Sequence, residues 1–284
     1  MSPLLVLPAP LSSTSITLGQ LVTDPLYADS PSLKPSTTPA HKESHTQSKY
    51  EDTVAHDEYG RFTSTRFISK LCGQPHYSHE NLLLLNAEQM SHTTIDKPSL
   101  VFNTLRKDST TRSFLRKMAH QNKPVYFVTG VQTLKNPSFK RAIVEHGVVA
   151  EAKAPASQFR LPVRRVDSAA SLDNGNSNST SATTESSDES VLAVELLKVK
   201  CRVGPSSEPH SVADLDYAWS YHVLDDDEDD EDLQLSIGLG KALQATELRG
   251  LAGIASSQQD EYSEEGSSWG SSSYSDSEDG IGGF

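Results

Sequence analysis

The clearest repeating pattern in the chain is the alternation of apolar and polar positions in its C-terminal half. In "VLAVELLKVKCRV" (191–203), Leu197, Val199, Cys201 and Val203 fall on one side and Lys198, Lys200 and Arg202 on the other, which predicts a one-sided strand. "YAWSYHVL" (217–224) sets Tyr217, Trp219, Tyr221 and Val223 against Ala218, Ser220 and His222, and "LQLSIGL" (233–239) repeats the pattern with Leu233, Leu235, Ile237 and Leu239. Three successive strands of this kind predict an antiparallel meander. Its second loop is the run Asp225 to Asp232, every residue of which is acidic. Upstream, "DSTTRSFLRKMAHQN" switches to helical spacing: Asp108 or Ser109 caps it, Phe114, Leu115 and Met118 form an apolar face, and Arg112, Arg116 and Lys117 a basic flank. Lys123-Pro124 ends that helix. "VYFVTGV" (125–131) follows, apolar on both faces as a central strand should be. Near the C-terminus "KALQATELRGLAGIA", with Leu243, Leu248, Leu251 and Ile254, predicts a short helix.

Other stretches lack such periodicity. Residues 24–60, rich in Pro, Ser, Thr and His, predict a meandering surface segment. "DSAASLDNGNSNSTSATTESSDES" (167–190) and everything from about Ser256 onward hold too little apolar surface to offset the entropy of ordering, and predict a disordered loop and tail. No repeat of solenoid length is found. The elements together predict an α+β domain, a mainly antiparallel sheet with flanking helices.

Composition adds a division within the chain. Its 284 residues are 35% hydrophobic with a net charge of −13. Between Arg61 and Arg165, however, seventeen basic side chains face six acidic ones, a net of +11, whereas from Val203 to Phe284 two face nineteen, a net of −17. A basic block of that length suits an anionic partner, and the acidic segment can compete for it. Cys72 and Cys201 are the only cysteines, which supplies no disulfide framework and fits a reducing, cytosolic setting. "MSPLLVLPAPLSS" lacks a basic leader and is broken by Pro3, Pro8 and Pro10, unlike a signal peptide. No stretch approaches the ~20 apolar residues of a spanning helix.

Other chemistry is poorly supported. Gly240-Lys241 lacks the upstream Gly and following Ser/Thr of a phosphate loop, since Leu235 and Ala242 stand there. His76 and His79 have no evident further metal ligands. Asn178 is a glycosylation sequon only in a secreted chain. Ser, His and Asp residues form no recognisable nucleophile arrangement, so no enzyme and no cofactor is expected.

Amphipathic strands suit two kinds of protein: an ordinary α+β domain, and a pore former whose hairpins later cross a bilayer with the apolar face to lipid. The order of "TTRSFLRKMAHQN", "KPVYFVTGVQTLKNPSF", a low-complexity insert, "ESVLAVELLKVKCRV" and a Trp-bearing strand resembles the N-terminal pore-forming domain of gasdermins. It is most similar to the short fungal members, which act in regulated cell death and heterokaryon incompatibility. "LGQLVTDPL" (18–26) also looks like the family's N-terminal stretch. The resemblance spans about residues 15–240. The N-terminal apolar segment and the eight-acid run depart from it, and in place of a large inhibitory domain there is a tail of some forty residues.

What the resemblance implies is a twisted, mainly antiparallel sheet over residues 1–240 and a largely disordered autoinhibitory tail over 241–284. It further implies a cytosolic, inactive protein. A protease, a subtilisin-like one among the candidates, removes the tail; the remainder binds acidic phospholipid at the cell membrane, oligomerises with its own kind and permeabilises the bilayer. Candidate lipid-binding residues are Arg112, Arg116, Lys117 and Lys123, with Lys135, Lys140, Arg141, Arg164 and Arg165 further off; each cation near an anionic leaflet contributes about 1 kcal/mol. Candidate membrane-hairpin residues are Leu197, Val199, Val203, Tyr217, Trp219 and Tyr221, and the candidate cleavage region is marked by Leu239, Leu243, Leu248 and Leu251. The alternative is a non-enzymatic basic module for nucleic acid or a protein partner, regulated by its acidic tail. It lacks the aromatic-rich motif of RNA-binding sheets, so nucleic acid is not the expected ligand.

Overall fold

The computed structural model describes residues 2–35, 39, 42–57, 59–66, 82–145, 148–151, 189–205, 214–224 and 233–254. The low-complexity stretch up to Asp188, the acidic run, and everything beyond Ile254 lie outside them, as do Cys72, His76, His79 and Asn178.

The described strands all join one sheet, and every pairing is antiparallel. In chain order they are β1 (Leu5–Ser12), β2 (Leu21–Val22), β3 (Ser32–Leu33), β4 (Lys42–His56), β5 (Phe62–Arg66), β6 (Leu82–Ile95), β7 (Val125–Lys135), β8 (Ser138–Glu145), β9 (Val148–Glu151), β10 (Glu189–Pro205), β11 (Ala218–Val223) and β12 (Leu233–Ala242). Helices α1 (Pro98–Leu105) and α2 (Ser109–His120) sit between β6 and β7, and α3 (Ala245–Leu251) follows β12. The main path runs β11-β12-β10-β7-β6-β4-β5. An α+β class with a mostly antiparallel, open sheet is therefore what the chain adopts.

Long strands change partners along their length. One edge of β10 pairs with β1 through Ser190–Val194 and then with β12 through Leu197–Pro205, while its other edge runs along β7. This explains its two-part sequence. Residues 190–194 are buried, as is Leu196, because structure covers both faces; from Leu197 the alternation shows, with Leu197 and Val199 buried, Lys198 half-buried and Lys200 exposed, because one face opens to solvent.

Side chains of β7 divide between two cores. Val125 and Phe127 join Leu197, Val199, Leu235, Ile237 and Leu239 beneath α1 and α2, which contribute Phe102, Leu115 and Met118. Tyr126 and Val128 join Leu196 on the opposite face, covered by Leu5 and Leu7 of β1 and by Leu243 and Leu248 at the C-terminal end. A third cluster, including Val54, Phe62, Leu83, Leu85 and Leu134, holds the β4–β5–β6 end together. Phe102 and Phe127 meet at 5.4 Å between ring centroids. Such pairs add to the roughly 1.5–3 kcal/mol that burial of a large apolar side chain contributes.

Two expectations are corrected. Residues 24–60 are not a meandering surface segment: β4 fills Lys42–His56 and pairs with β6 from Lys42↔Ile95 to Ala55↔Leu82. Its first eight residues are exposed and polar, so no alternation marks them; the β6 backbone, not burial, makes them a strand. The C-terminal strands also do not form a sequential meander. β12 lies between β10 and β11, so β10 and β11 never touch as neighbours and the hairpin is β11–β12. The acidic run does connect those two strands, whose ends meet where Leu224 N–H donates to the Leu233 carbonyl at 2.9 Å.

Candidate functional site

Helix α2 forms where its sequence predicts. The Asp108 carboxylate accepts from the Thr111 backbone N–H at 2.9 Å, satisfying a donor that the first turn leaves open, and Asn122 at φ 51° turns the chain out beyond the C-cap. Burial of Leu115 and Met118 fixes the rotation of the helix, placing Arg112 and Arg116 half-buried at the rim and Lys117 in solvent.

Against this basic flank stands the β11–β12 hairpin. Between them opens a groove of about 180 Å³, lined on the helix side by Ser109, Arg112, Ser113 and Arg116 and on the hairpin side by His222, Val223, Leu224 and Leu235. A shallower hollow continues along α2 past Lys117 and His120. Arg106, at the C-cap of α1, adds to the field. The His222 imidazole is pushed below its ordinary range by burial first, and then by the positive charges of Arg112 and Arg106. Burial likewise lowers the Arg106 pKa. Among the described residues no carboxylate is paired with Arg106 or Arg112.

The other expected lipid-binding residues lie elsewhere. Lys123 is exposed beyond the far end of α2. Lys135 is at the distal end of β7, paired with Glu88 at 3.1 Å, a contact that holds the Glu88 carboxyl below its usual range together with Asn136. Lys140 and Arg141 are on β8, across the sheet beside β6. Arg164 and Arg165 lie outside the described residues. One compact basic site therefore contains three of the nine, not all of them, since charge in sequence says nothing of which strand end carries it. Arg106 and His222 were missed. Pro98 followed by "SLVFNTLR" is a legible N1 proline and helix that would have found the first; nothing local distinguishes His222.

The expected membrane-hairpin set also divides. Leu197 and Val199 point beneath the helices, in the same core as Leu235, Ile237 and Leu239. Trp219 pairs with Gly238 and Tyr221 with Ser236, positions of β12 that alternate with that apolar face, so the aromatic stripe occupies the opposite side of the sheet. Gly238 and Gly240 floor it: a Cβ at Gly240 would stand 2.4 Å from the Tyr217 ring, and one at Gly238 2.9 Å from Tyr217 and 3.0 Å from Trp219. The two rings lie 5.8 Å apart, and Trp219 Nε1 donates to the Asp214 carbonyl at 2.8 Å. Lys200 pairs with the Asp214 carboxylate and lies 5.9 Å from the Tyr217 ring centroid. Leu197, Val199 and Val203 thus share no apolar face with Tyr217, Trp219 and Tyr221. The reason is room: only the glycine side of β12 admits the rings.

The cleavage region is less accessible than expected. Leu239 is within β12, and Leu243 and Leu248 are buried in the core; Leu251 alone of the four is exposed, at 47%. Residues 241–254 are ordered onto the body. Lys198 bonds Glu247 at 2.5 Å, Glu247 also accepts from the Gln244 N–H at 2.9 Å, and Arg61 donates to the Ala252 carbonyl at 2.8 Å while holding Asp57 at 2.7 Å.

Among the described residues no group of His, Cys, Asp and Glu could hold a metal ion, and no helix is long and apolar enough to cross a membrane. Burial pushes the Cys201 thiol up to about 12, which removes it as a nucleophile. Compared with known protein families and with curated proteins, the chain matches none.

Proposed function

We propose that the chain is a gasdermin-like pore-forming effector of regulated cell death, held inactive by its C-terminal segment and recruited to acidic phospholipid. The observation that carries this reading is the basic groove of α2, beside a sheet whose C-terminal cover, Leu243 to Ile254, buries Leu243, Leu248 and Ile254 and is tied to Lys198 and Arg61. Arg112, Arg116 and Lys117 form the lipid-binding face. The acidic residues beyond it in sequence, Asp225 to Asp232, lower its potential, an effect screened beyond about 10 Å at 0.1 M salt. Cutting the cover exposes Tyr126, Val128 and Leu196 to contacts with other copies. A rearranged hairpin, β11–β12 or β7–β8, then crosses the bilayer.

The test is leakage of dye from vesicles containing acidic phospholipid, using the whole chain and a chain ending at Ala242. Leakage caused by the shortened chain alone supports the reading. Equal inertness of both chains sinks autoinhibition, and binding to oligonucleotides without leakage favours the interaction module.

A further inference from the structure

The groove between α2 and the β11–β12 hairpin has more definition than a general basic surface. Arg112 and Arg116 are four residues apart, hence on one face of the helix, and Ser109 and Ser113 repeat that spacing beside them. The hairpin supplies an imidazole, His222, and an apolar wall, Leu224 and Leu235. We propose that this groove is a site for a single phosphate monoester group, the chemistry shared by a phosphatidate-type lipid headgroup and a soluble organic phosphate.

Charge and size argue for that ligand. Guanidinium groups bind phosphate oxygens through paired, parallel N–H donors, and serine hydroxyls complete the set. A monoester carries close to two negative charges at neutral pH and so draws more from converging cations than a carboxylate or a diester does. A groove of about 180 Å³ takes a phosphate and the first atoms of its ester. The apolar wall suits the glycerol end of a lipid.

His222 supplies a reporter. Among the described residues the charged groups facing it are Arg112 from α2 and Arg106 from α1, with Arg116 of α2 lining the same groove; Ser220 on its own strand is a weak neighbour, with its hydroxyl at 3.4 Å, and Leu235 of β12 is apolar. Burial first, and then Arg112 and Arg106, hold the ring neutral near pH 7. A bound dianion offsets those cations, so the pKa of His222 rises on binding, and by linkage the dianion itself binds more tightly as the pH falls, against the loss of dianion through the ester's own second ionisation near pH ~6.

The proposal rests on the lipid-binding part of the function above, but binding and leakage are separate readouts. Full-length chain is titrated with inorganic phosphate and with short-chain phosphatidate while the His222 ring protons are followed by NMR. Flotation is then measured with phosphatidylcholine vesicles doped with either phosphatidate or phosphatidylserine. We expect the His222 pKa to rise with both soluble probes, and phosphatidate vesicles to capture the chain better than phosphatidylserine vesicles. Arg112→Gln should weaken capture by about tenfold, the loss of one charge-assisted hydrogen bond, while Lys49→Gln, exposed on β4 at the distal end of the sheet, leaves it unchanged. His222→Gln should leave only the pH dependence of the phosphate's own second ionisation, and serves as second variant if Arg112→Gln misfolds by circular dichroism. Equal capture by the two lipids, equal loss in Arg112→Gln and Lys49→Gln, or an unmoved His222 would each overturn the site. Response to the soluble probes without vesicle capture keeps the phosphate site and overturns its lipid source. Capture without leakage from the shortened chain keeps the site and removes the pore.

Discussion

β7 and β11 are both rich in aromatic and β-branched residues, yet they occupy opposite situations in the sheet. β7 is buried through Gln132, with Val125 and Phe127 beneath the helices and Tyr126 and Val128 beneath the N-terminal strand and α3. β11 is an edge strand whose Tyr221 and Val223 are 54% and 67% exposed. The difference teaches that alternation reports two unlike faces but not which of them is inside. In β11 the small and polar residues Ala218, Ser220 and His222 face the helix side, and the larger ones stand on a glycine floor outside.

Mutations can break this comparison at either end. Phe127→Ala should cost about 3–5 kcal/mol in chemical denaturation, because the ring is fully buried against Phe102 and its neighbours cannot collapse into the void. A loss below about 1 kcal/mol would show that the two-sided core is looser than described. Next comes Gly240→Val, expected to lose about 1–3 kcal/mol by overpacking against Tyr217. Pairing it with Tyr217→Ala should recover part of that loss; strict additivity in the double-mutant cycle would deny the contact.

Titration should sharpen the contrast, with opposite signs at the two places. Asp52, 1% exposed on β4 and bonded by Tyr50 at 2.8 Å and the Thr53 N–H at 2.7 Å, has its carboxyl raised above the usual value of 3.8 because burial outweighs those bonds. The folded state then holds its proton longer than the unfolded state, so this contribution is present at pH below about 4 and lost as pH rises through the folded pKa. Asp52→Asn should remove that slope. His222, lowered from 6.5, behaves in reverse: its contribution is present above the unfolded pKa and lost as pH falls from about 6.5 towards the folded value. Stability measured against pH for each variant checks both, and slopes of the same sign would contradict the assignment. The smallest effect belongs to Tyr221→Ala, within about 0.5 kcal/mol, since the ring is largely solvated. A larger loss would place the aromatic stripe against something unseen at this edge.

Much of this architecture was legible because it rests on local rules. The Asp108 cap, the Leu115/Met118 face and the doubly buried β7 follow from spacing alone, and so does the one-sided second half of β10. Where burial supplies no signal, spacing fails: β4 reads as polar and featureless for eight residues, yet it is a strand because β6 presents it with an unpaired edge. The candidate site was half legible. Arg112, Arg116 and Lys117 declared themselves as one helix flank, but Lys135 and Lys140, equally basic in sequence, stand at other ends of long strands.

The sequence by itself determined the elements with a period of their own, the segregation of basic and acidic segments, and the position of eight acids between two strands. Tertiary structure alone decided that β12 lies between β10 and β11, that the Trp219 stripe faces away from Leu197, that Leu243 and Leu248 are core, and that His222 meets Arg112 across a groove. The physical reason is that a strand's partners and the burial of its faces depend on backbone edges and free volume supplied by residues far along the chain. Gly238 and Gly240 make room for rings that local periodicity would have turned inward.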